Sequence, residues 1–355
     1  MEGKISGEAM PSGGILGSRD YQNRIKYAVH ILTILLAASV IVFIGLISAA
    51  LLKEGIHNFF LALSSIDPFY YAGAILVLTG GYLLRYPKWE MYMKKLGIKI
   101  PRAKNLAIYL SLYSMDITPG RWGRSVVSYT INRLTGAKFT LTFPAVVADI
   151  FTDFLGFCVI LLASSFLVRK DYLISVGLTA LLLIPFLFLY SRTLFEFIKK
   201  KLNRIRRMRG FLNLGSLYFK NNTLLDKSAY AYSMLFTIPS VLMNGLAFYL
   251  VILSFGVHVG ISYLPTVLFI YYFSLLLGMV TGIPGTLGIT DVSIAASLTL
   301  FFQGLGPSAG IVAGTAFSLA SLITIFYRVL SLWFVEALGF SSLWYTVRYW
   351  KNPKK

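Results

Sequence analysis

A small set of ionisable side chains interrupts long apolar stretches of the chain, and these residues could do chemistry. Inside a membrane such side chains are costly, which makes them candidates for function. Asp149 and Asp153 are one helical turn apart and share a face. Two neighbouring carboxylates need a cation nearby or a proton. Arg121 and Arg124, in the neighbouring apolar segment, are their expected partners. The full candidate set is Asp116, Arg121, Arg124, Asp149, Asp153, Asp291, Arg328 and Glu336.

The same residues have a simpler interpretation, an internal ion-pair network that only holds the protein together. Glu336 is expected at a membrane interface and carries less weight. Catalysis is disfavoured because His30, His57 and His258 lie at or near the ends of apolar runs, and because no Gly-x-x-x-x-Gly-Lys loop is present. Asp149 and Asp153 could in principle bind a metal, but no further ligands accompany them. No catalytic residue, metal site or cofactor is therefore predicted.

Two Pro-Gly-x-x-Gly motifs break the apolar runs at 105–135 and 264–303. The motif residues are Pro119, Gly120 and Gly123 in the first run, and Pro284, Gly285 and Gly288 in the second. Proline removes a backbone donor and glycine frees φ, so both sites should interrupt a helix. One such break could be a tolerated kink, whereas two matching breaks favour an internal repeat. The helix arms that begin near Arg121 and Thr286 would point their positive ends inward, which suits an anionic group such as phosphate.

Composition identifies the elements that must position these residues. Apolar residues make up 57% of the 355 residues and charged residues 13%, about half the charged share of a globular domain. Runs of about 20 apolar residues match the thickness of a bilayer core. The first run, 28–52, is too long for a signal-peptide core and predicts a transmembrane helix. The others lie at about 69–86, 105–135, 142–167, 172–191, 229–256, 264–303 and 308–338.

The net charge of +19 predicts orientation and contact with anionic lipid heads rather than nucleic acid. Basic residues concentrate in the N-terminal segment, in the loops at 87–104 and 192–228, and in the tail, which should all be cytoplasmic. All four basic segments fall on the cytoplasmic side if both broken runs are re-entrant, because each hairpin then returns to the side on which it began. We therefore predict an all-α polytopic membrane protein with inverted repeats, about six full spans and two re-entrant hairpins broken at Pro-Gly. The predicted parts are a disordered cytoplasmic N-terminus at 1–26, a transmembrane domain at 27–340 with repeats at about 69–167 and 229–338, a basic cytoplasmic connector at 192–228, and a basic cytoplasmic tail at 341–355.

Four motifs together resemble a known family. They are Thr118-Pro-Gly-Arg-Trp-Gly, Asp149-x-x-x-Asp153, Ile283-Pro-Gly-Thr-Leu-Gly-Ile-Thr-Asp291 and Tyr327-Arg-Val-Leu-Ser-Leu-Trp333. Over roughly 28–340 the chain resembles the flippase-like transmembrane region of lysylphosphatidylglycerol synthases and its stand-alone bacterial and archaeal relatives. The resemblance implies a lipid translocase without an attached ATPase.

The chain departs from this family at two places. Relatives usually have Glu where Arg124 stands, and often Glu-Arg where this chain has Asp149-Ile150. Both changes make the first site more positive, which argues against a cationic aminoacyl-lipid as cargo. No soluble aminoacyl-transferase segment is present in the sequence, so synthase activity is not expected.

These observations favour a flippase or scramblase for an anionic-headed lipid, such as a polyprenyl phosphate, a lipid-linked sugar or an acidic phospholipid. The alternatives are a membrane enzyme or accessory subunit of lipid-linked glycosyl transfer, and a structural membrane partner. The expected partners are membrane lipids, with a second copy of the chain as a further candidate. The expected location is the cytoplasmic membrane, with both termini cytoplasmic. One water-accessible cavity near mid-membrane should collect Arg121, Arg124, Asp149, Asp153, Asp291 and Arg328. There Arg121 and Arg124 would hold the phosphate, Asp149 and Asp153 would neutralise them in the empty site, and Asp291 and Arg328 would play the pseudo-symmetric part.

Overall fold

A computed structural model describes the chain continuously over 66–168, 226–281, 283–306, 309–311 and 315–349, with isolated positions among residues 34–64, 173–180 and 196–200. The predictions for the N-terminus at 1–26, the connector at 192–228, and most of the runs at 28–52 and 172–191 lie outside the described residues. The described segments are helical and contain no strand.

The first half consists of two helices, a broken hairpin and a long helix. Helix α1 (Pro68–Leu84) begins at Asp67, whose carboxylate accepts a hydrogen bond from the Phe69 amide at 2.8 Å. Helix α2 (Tyr86–Lys95) follows at a proline near its start. The hairpin comprises α3 (Arg102–Leu110), a 3₁₀ turn (Ser111–Met115), the break (Pro119–Ser125) and α4 (Val126–Thr135). The long helix α5 (Phe139–Val168) completes this half.

The second half repeats this order with longer hairpin arms. It begins with α6 (Lys227–Ser254), followed by a 3₁₀ turn (Ile261–Tyr263) and α7 (Leu264–Val280). The second break is a 3₁₀ turn (Pro284–Thr286), after which α8 (Ile289–Leu305) returns. The last helix is continuous through α9 (Ala316–Arg328), a π-helical segment (Val329–Phe334) and α10 (Val335–Tyr349). Because α10 runs to Tyr349, the predicted tail at 341–355 is helical over most of its length.

Five helical stretches in the described segments are long and apolar enough to cross a membrane: Phe139–Val168, Lys227–Ser254, Ile261–Val280, Pro284–Leu305 and Ala316–Arg348. They confirm the all-α polytopic membrane class. Two of them are the arms of the second hairpin, whereas the arms of the first hairpin are helices of 9 and 10 residues. A hairpin that dips into the membrane and one that crosses it twice both end on the side where they began. The charge balance is therefore satisfied by either arrangement, and full re-entrance of the second hairpin stays a prediction.

The two halves pack as inverted copies. Helices α1 and α6 run antiparallel in close contact, with the Asp67 amide donating to the Ser254 carbonyl at 2.5 Å. Gly81 permits this approach, because a Cβ there would lie 2.9 Å from Asn244 Oδ1 and 3.1 Å from the Ser240 carbonyl oxygen. Two further large contacts are exchanged between the halves: α5 packs on α7, and α10 packs on α3 and its 3₁₀ continuation. An exchange of this kind is what two halves related by a pseudo-two-fold axis require.

Candidate functional site

The two breaks have the same backbone shape. Gly120 and Arg121 have φ of 59° and 60°, and Gly285 and Thr286 have φ of 61° and 57°. The left-handed conformation is free for glycine, but costs a residue with a side chain about 1–2 kcal/mol. The surrounding packing therefore holds Arg121 and Thr286 in place. The breaks also touch each other, because a Cβ on Gly285 would lie 2.7 Å from Cγ1 of Ile117.

A buried ion cluster lies beside the first break and centres on Asp153. Its carboxylate contacts Lys88 Nζ at 2.7 Å and Arg85 Nη1 at 2.9 Å. It also contacts Arg124 Nη1 at 3.2 Å and Arg121 Nη1 at 3.5 Å. Four helical elements thus meet at one carboxylate: the junction of α1 and α2, α2 itself, the first break, and α5.

Two further carboxylates complete this cluster. Asp149 contacts Arg124 Nη1 at 2.6 Å and Lys88 Nζ at 3.0 Å. Asp116 accepts from Arg124 through Nε, and through Nη2 at 2.8 Å, which is a two-pronged fork. The cluster therefore joins four basic side chains to three carboxylates, and one positive charge is left over when all are ionised.

The second half has a smaller ion pair of its own. Arg328 Nε lies 2.7 Å from Asp291 Oδ1, and Arg328 Nη2 donates to the Gly285 carbonyl at 2.7 Å. Asp291 Oδ2 accepts from the Gly288 amide at 2.8 Å. This pair ties α9 to the second break and to the start of α8.

A cavity of about 250 Å³ lies between the two breaks. Arg85, Asp116, Arg121 and Arg328 contribute its charged wall. The rest of the lining is mainly apolar and includes Ile150, Phe154, Phe157, Leu275, Met279 and Leu332.

Four polar atoms of cavity-lining residues are buried without a hydrogen-bond partner. They are Arg85 Nη2, Asn244 Oδ1, Ser331 Oγ and Arg328 Nε, of which the last is paired ionically with Asp291 at 2.7 Å. Buried polar groups are nearly always paired, so these atoms are unusual, but they are enclosed by protein and do not themselves face the cavity.

This geometry corrects the expectation that six residues line one cavity. Arg121 and Arg328 do line it. Arg124, Asp149 and Asp153 are fully buried behind the cavity wall, and Asp291 is buried behind Arg328. Of the two arginines of the first break, Arg121 thus faces the cavity, while Arg124 is held within the ion cluster.

Sequence reasoning missed Arg85 and misplaced Lys88. Lys88 was counted with the cytoplasmic loop at 87–104, but it is buried between Asp149 and Asp153. Arg85 and Lys88 are three residues apart at the end of an apolar run, and this spacing on one helical face was the available signal. Glu336 is 4% exposed and accepts from the Ile117 amide at 2.6 Å, so it lies inside the protein, and its depth relative to the membrane interface stays a prediction.

A separate pair stands outside the spans. Lys95 on α2 donates to the Asp226 carboxylate at 2.7 Å, at the start of α6. This hydrogen bond, reinforced by the Ala229 amide at 2.8 Å, lowers the pKa of Asp226 below its usual value. Among the described residues, no group of three or more His, Cys, Asp or Glu side chains is arranged to hold a metal ion.

Comparison with known proteins gives a family match and one relative. The family described as "Lysylphosphatidylglycerol synthase TM region" matches residues 31–339. A UPF0104 membrane protein of Methanothermobacter thermautotrophicus is 34% identical over 105 residues, which is 29% of this chain. The alignment spans 27% of that relative's length. The chain is thus a multi-pass membrane protein that belongs to the family of the lysylphosphatidylglycerol synthase transmembrane region.

Proposed function

We propose that this protein is a lipid translocase, a flippase or scramblase, that moves a lipid with an anionic head across the membrane. The observation that carries the proposal is the cavity between the two breaks, whose lining combines Arg85, Arg121 and Arg328 with mainly apolar side chains. Its family belongs to a membrane-lipid system, which supports a lipid as the cargo.

Arg121 is the residue that would hold the phosphate. Its contacts are the longest in the ion cluster, 3.5 Å to Asp153 and 3.8 Å to Asp116. Its guanidinium donates no hydrogen bond to any described residue, although it lies 5.2 Å from the Phe157 ring centroid. The side chain is 19% exposed and lines the cavity. An arginine with free donors and an incompletely neutralised charge suits phosphate, which it can bind through two parallel hydrogen bonds.

Arg85 lines the same cavity and would add a second positive charge beside the phosphate. A bare phosphate would use these basic side chains alone. A head group with hydroxyls beside the phosphate would also bond the side chains of Asn244 and Ser331, which line the cavity, after they turn toward it. A glycosyl or glycerol phosphate head therefore uses more of the cavity than a bare polyprenyl phosphate does.

The size of the cavity fits a head group rather than a whole lipid. Pockets for drug-sized ligands span roughly 300–1,000 Å³, so about 250 Å³ leaves no room for long acyl or prenyl chains. The apolar wall, including Phe154 and Leu275, would meet the first carbons of the tail. The rest of the tail would stay in the bilayer while the head crosses.

Arg121→Gln tests the proposal in liposomes that contain the purified full chain and a fluorescent phosphatidylglycerol. Wild-type protein should move this lipid faster than empty liposomes do. Losing a hydrogen bond to a charged group costs roughly 1.5–3 kcal/mol, so translocation should slow by about 10- to 100-fold. Arg102→Gln is the matched control, because Arg102 is 85% exposed and far from the cavity.

Two outcomes would contradict the proposal. An Arg121→Gln rate within twofold of wild type would mean that the phosphate site lies elsewhere. Wild-type protein that binds the lipid but never accelerates its movement would favour the alternative, an enzyme or accessory subunit of lipid-linked glycosyl transfer.

A further inference from the structure

We propose that Glu336 is a proton-binding site and that its protonation couples lipid movement to proton movement across the membrane. The coupling rests on the proposed function, whereas the proton site does not.

Glu336 differs from the buried aspartates of the two halves in having no basic partner. Asp149, Asp153 and Asp291 are each within 3.0 Å of a basic nitrogen. Asp116 accepts hydrogen bonds from Arg124. Among the described residues, no lysine or arginine nitrogen lies within 4.0 Å of the Glu336 carboxylate, although its side chain is almost fully buried. A carboxyl group inside a membrane protein without a counter-ion is best accommodated in its neutral form.

The hydrogen bonds of Glu336 also suit the protonated form. Oε1 accepts from the Ile117 amide at 2.6 Å, and Oε2 is buried with no partner. An ionised carboxylate would leave half of its charge unsolvated at Oε2. A protonated carboxyl keeps the bond from Ile117 and replaces that charge by a neutral hydroxyl, whose burial costs far less.

The charged groups around α10 do not supply the missing cation. Asp116, at the end of the 3₁₀ turn packed against α10, interacts electrostatically with Glu336, and the nearby Arg124 is paired with Asp116 rather than with Glu336. Helix α3 runs antiparallel to α10, with Gly339 opposite Ser114 and Ser342 bonded to the Ala107 carbonyl. The basic residues of the packed elements therefore lie two or more helical turns from Glu336, at roughly 12 Å or more along the helix axes: Arg102 and Lys104 in the first turn of α3, Arg328 before the π-helical segment, and Arg348 near the end of α10.

The position of Glu336 gives its proton a mechanical consequence. Ile117 lies two residues before the first break, and its side chain packs with Leu287 and Leu332. Glu336 thus joins the last helix of the second repeat to the hairpin of the first. The π-helical segment (Val329–Phe334) directly precedes α10, and such segments let a helix change register locally.

Protonation would hold the first hairpin against α10. Loss of the proton to water would leave an uncompensated carboxylate, which must reach solvent, so the contact would open. The step transfers one proton between water and a carboxylate oxygen and needs no other reactant. Uptake on one side and release on the other would tie hairpin movement to the proton gradient.

The proton site can be tested without any lipid assay. Infrared absorption of the purified full chain should contain a protonated-carboxyl band at neutral pH, and Glu336→Gln should remove it. Glu90→Gln is the matched control, because Glu90 is partly exposed and pairs with Lys94 at 3.3 Å and Arg102 at 3.4 Å. A band that is absent from the wild type, or unchanged in Glu336→Gln, would overturn the proposal.

A second measurement uses only wild-type protein, in case Glu336→Gln does not fold. An apolar carbodiimide reacts with protonated carboxyl groups in apolar surroundings, and mass spectrometry locates the adduct. We expect Glu336 to be labelled at neutral pH and labelling to fall as the pH rises. Absence of the adduct at Glu336 would overturn the proton site.

Coupling is tested with a pH gradient across the same phosphatidylglycerol liposomes. The gradient should change the wild-type translocation rate at least threefold, Glu90→Gln should keep this response, and Glu336→Gln should lose it. Equal wild-type rates with and without the gradient would overturn the coupling. Wild-type protein whose Glu336 titrates but which moves no lipid would overturn the proposed function and the coupling, and would support the proton site alone.

Discussion

Replacing Asp153 by Asn should destabilise the protein more than other single changes to the ion cluster, because Asp153 contacts all four of its basic side chains. Two of these contacts, Lys88 Nζ at 2.7 Å and Arg85 Nη1 at 2.9 Å, are between groups that are almost fully buried. The cluster carries four basic groups and three carboxylates, so its net charge of +1 would become +2. Removing one partner of a buried pair costs about 3–5 kcal/mol, since the remaining charge stays buried without compensation.

The assay is unfolding of the purified protein in mixed micelles, followed by circular dichroism. Asp153→Asn should lower the free energy of unfolding by about 3–5 kcal/mol, which changes the unfolding equilibrium by roughly two to four powers of ten. Glu90→Gln, which breaks a surface pair, should cost less than about 1 kcal/mol.

A charge-restoring double variant separates loss of charge balance from loss of packing. Lys88→Met combined with Asp153→Asn leaves three basic groups and two carboxylates, a net charge of +1 again. The double variant should recover part of the stability that Asp153→Asn loses. The reasoning is refuted if Asp153→Asn lies within about 1 kcal/mol of wild type, or if the double variant is as unstable as the sum of its two single variants.

Three further predictions concern packing, pH and topology. Gly339→Ala should lower the free energy of unfolding by about 1–3 kcal/mol, because its Cβ would lie 2.3 Å from a backbone amide nitrogen of the first hairpin. In the same assay Gly304→Ala should be neutral or slightly stabilising, because nothing lies within 4 Å of its Cβ position. Asp226→Asn should lower the melting temperature at pH 7, because the stabilising hydrogen bond from Lys95 needs the ionised carboxylate. The melting temperatures of variant and wild type should become equal once the pH has fallen below the lowered pKa of Asp226. A difference in melting temperature that persists in strong acid would contradict this prediction. Cysteines introduced at Lys138 and Lys94 should react with a membrane-impermeant thiol reagent from the same side, and labelling from opposite sides would exclude a hairpin that returns to its starting face.

The helix breaks were predictable because proline and glycine act through their own backbone. Pro119 and Pro284 each lack an amide hydrogen, and Gly120 and Gly285 each adopt positive φ, so the interruption needs no tertiary information. The contact between Arg124 and Asp149 was predictable for a related reason, since few charged residues are available within the apolar runs.

The different environments of Arg121 and Arg124 were not predictable from the sequence. The left-handed backbone at Arg121 turns the chain between the two arginines, so one faces the cavity and the other the carboxylates. Lys88 was misplaced because counting charges assigns basic residues at the end of an apolar run to the membrane surface. Packing of α2 against α5 overrides that rule, and packing of this kind cannot be seen in a single sequence.

The buried ion cluster also constrains how the chain enters the membrane during synthesis. Arg85 and Lys88 precede their partners on α5 by 61–68 residues. At roughly 5–20 residues per second, several seconds pass before those carboxylates leave the ribosome. Until then the two basic side chains have no α5 partner and must stay in contact with water or lipid head groups. We therefore expect helices α1 and α2 to reach their final packed positions only when α5 arrives, so that these helices and the first hairpin settle in the bilayer together rather than one by one.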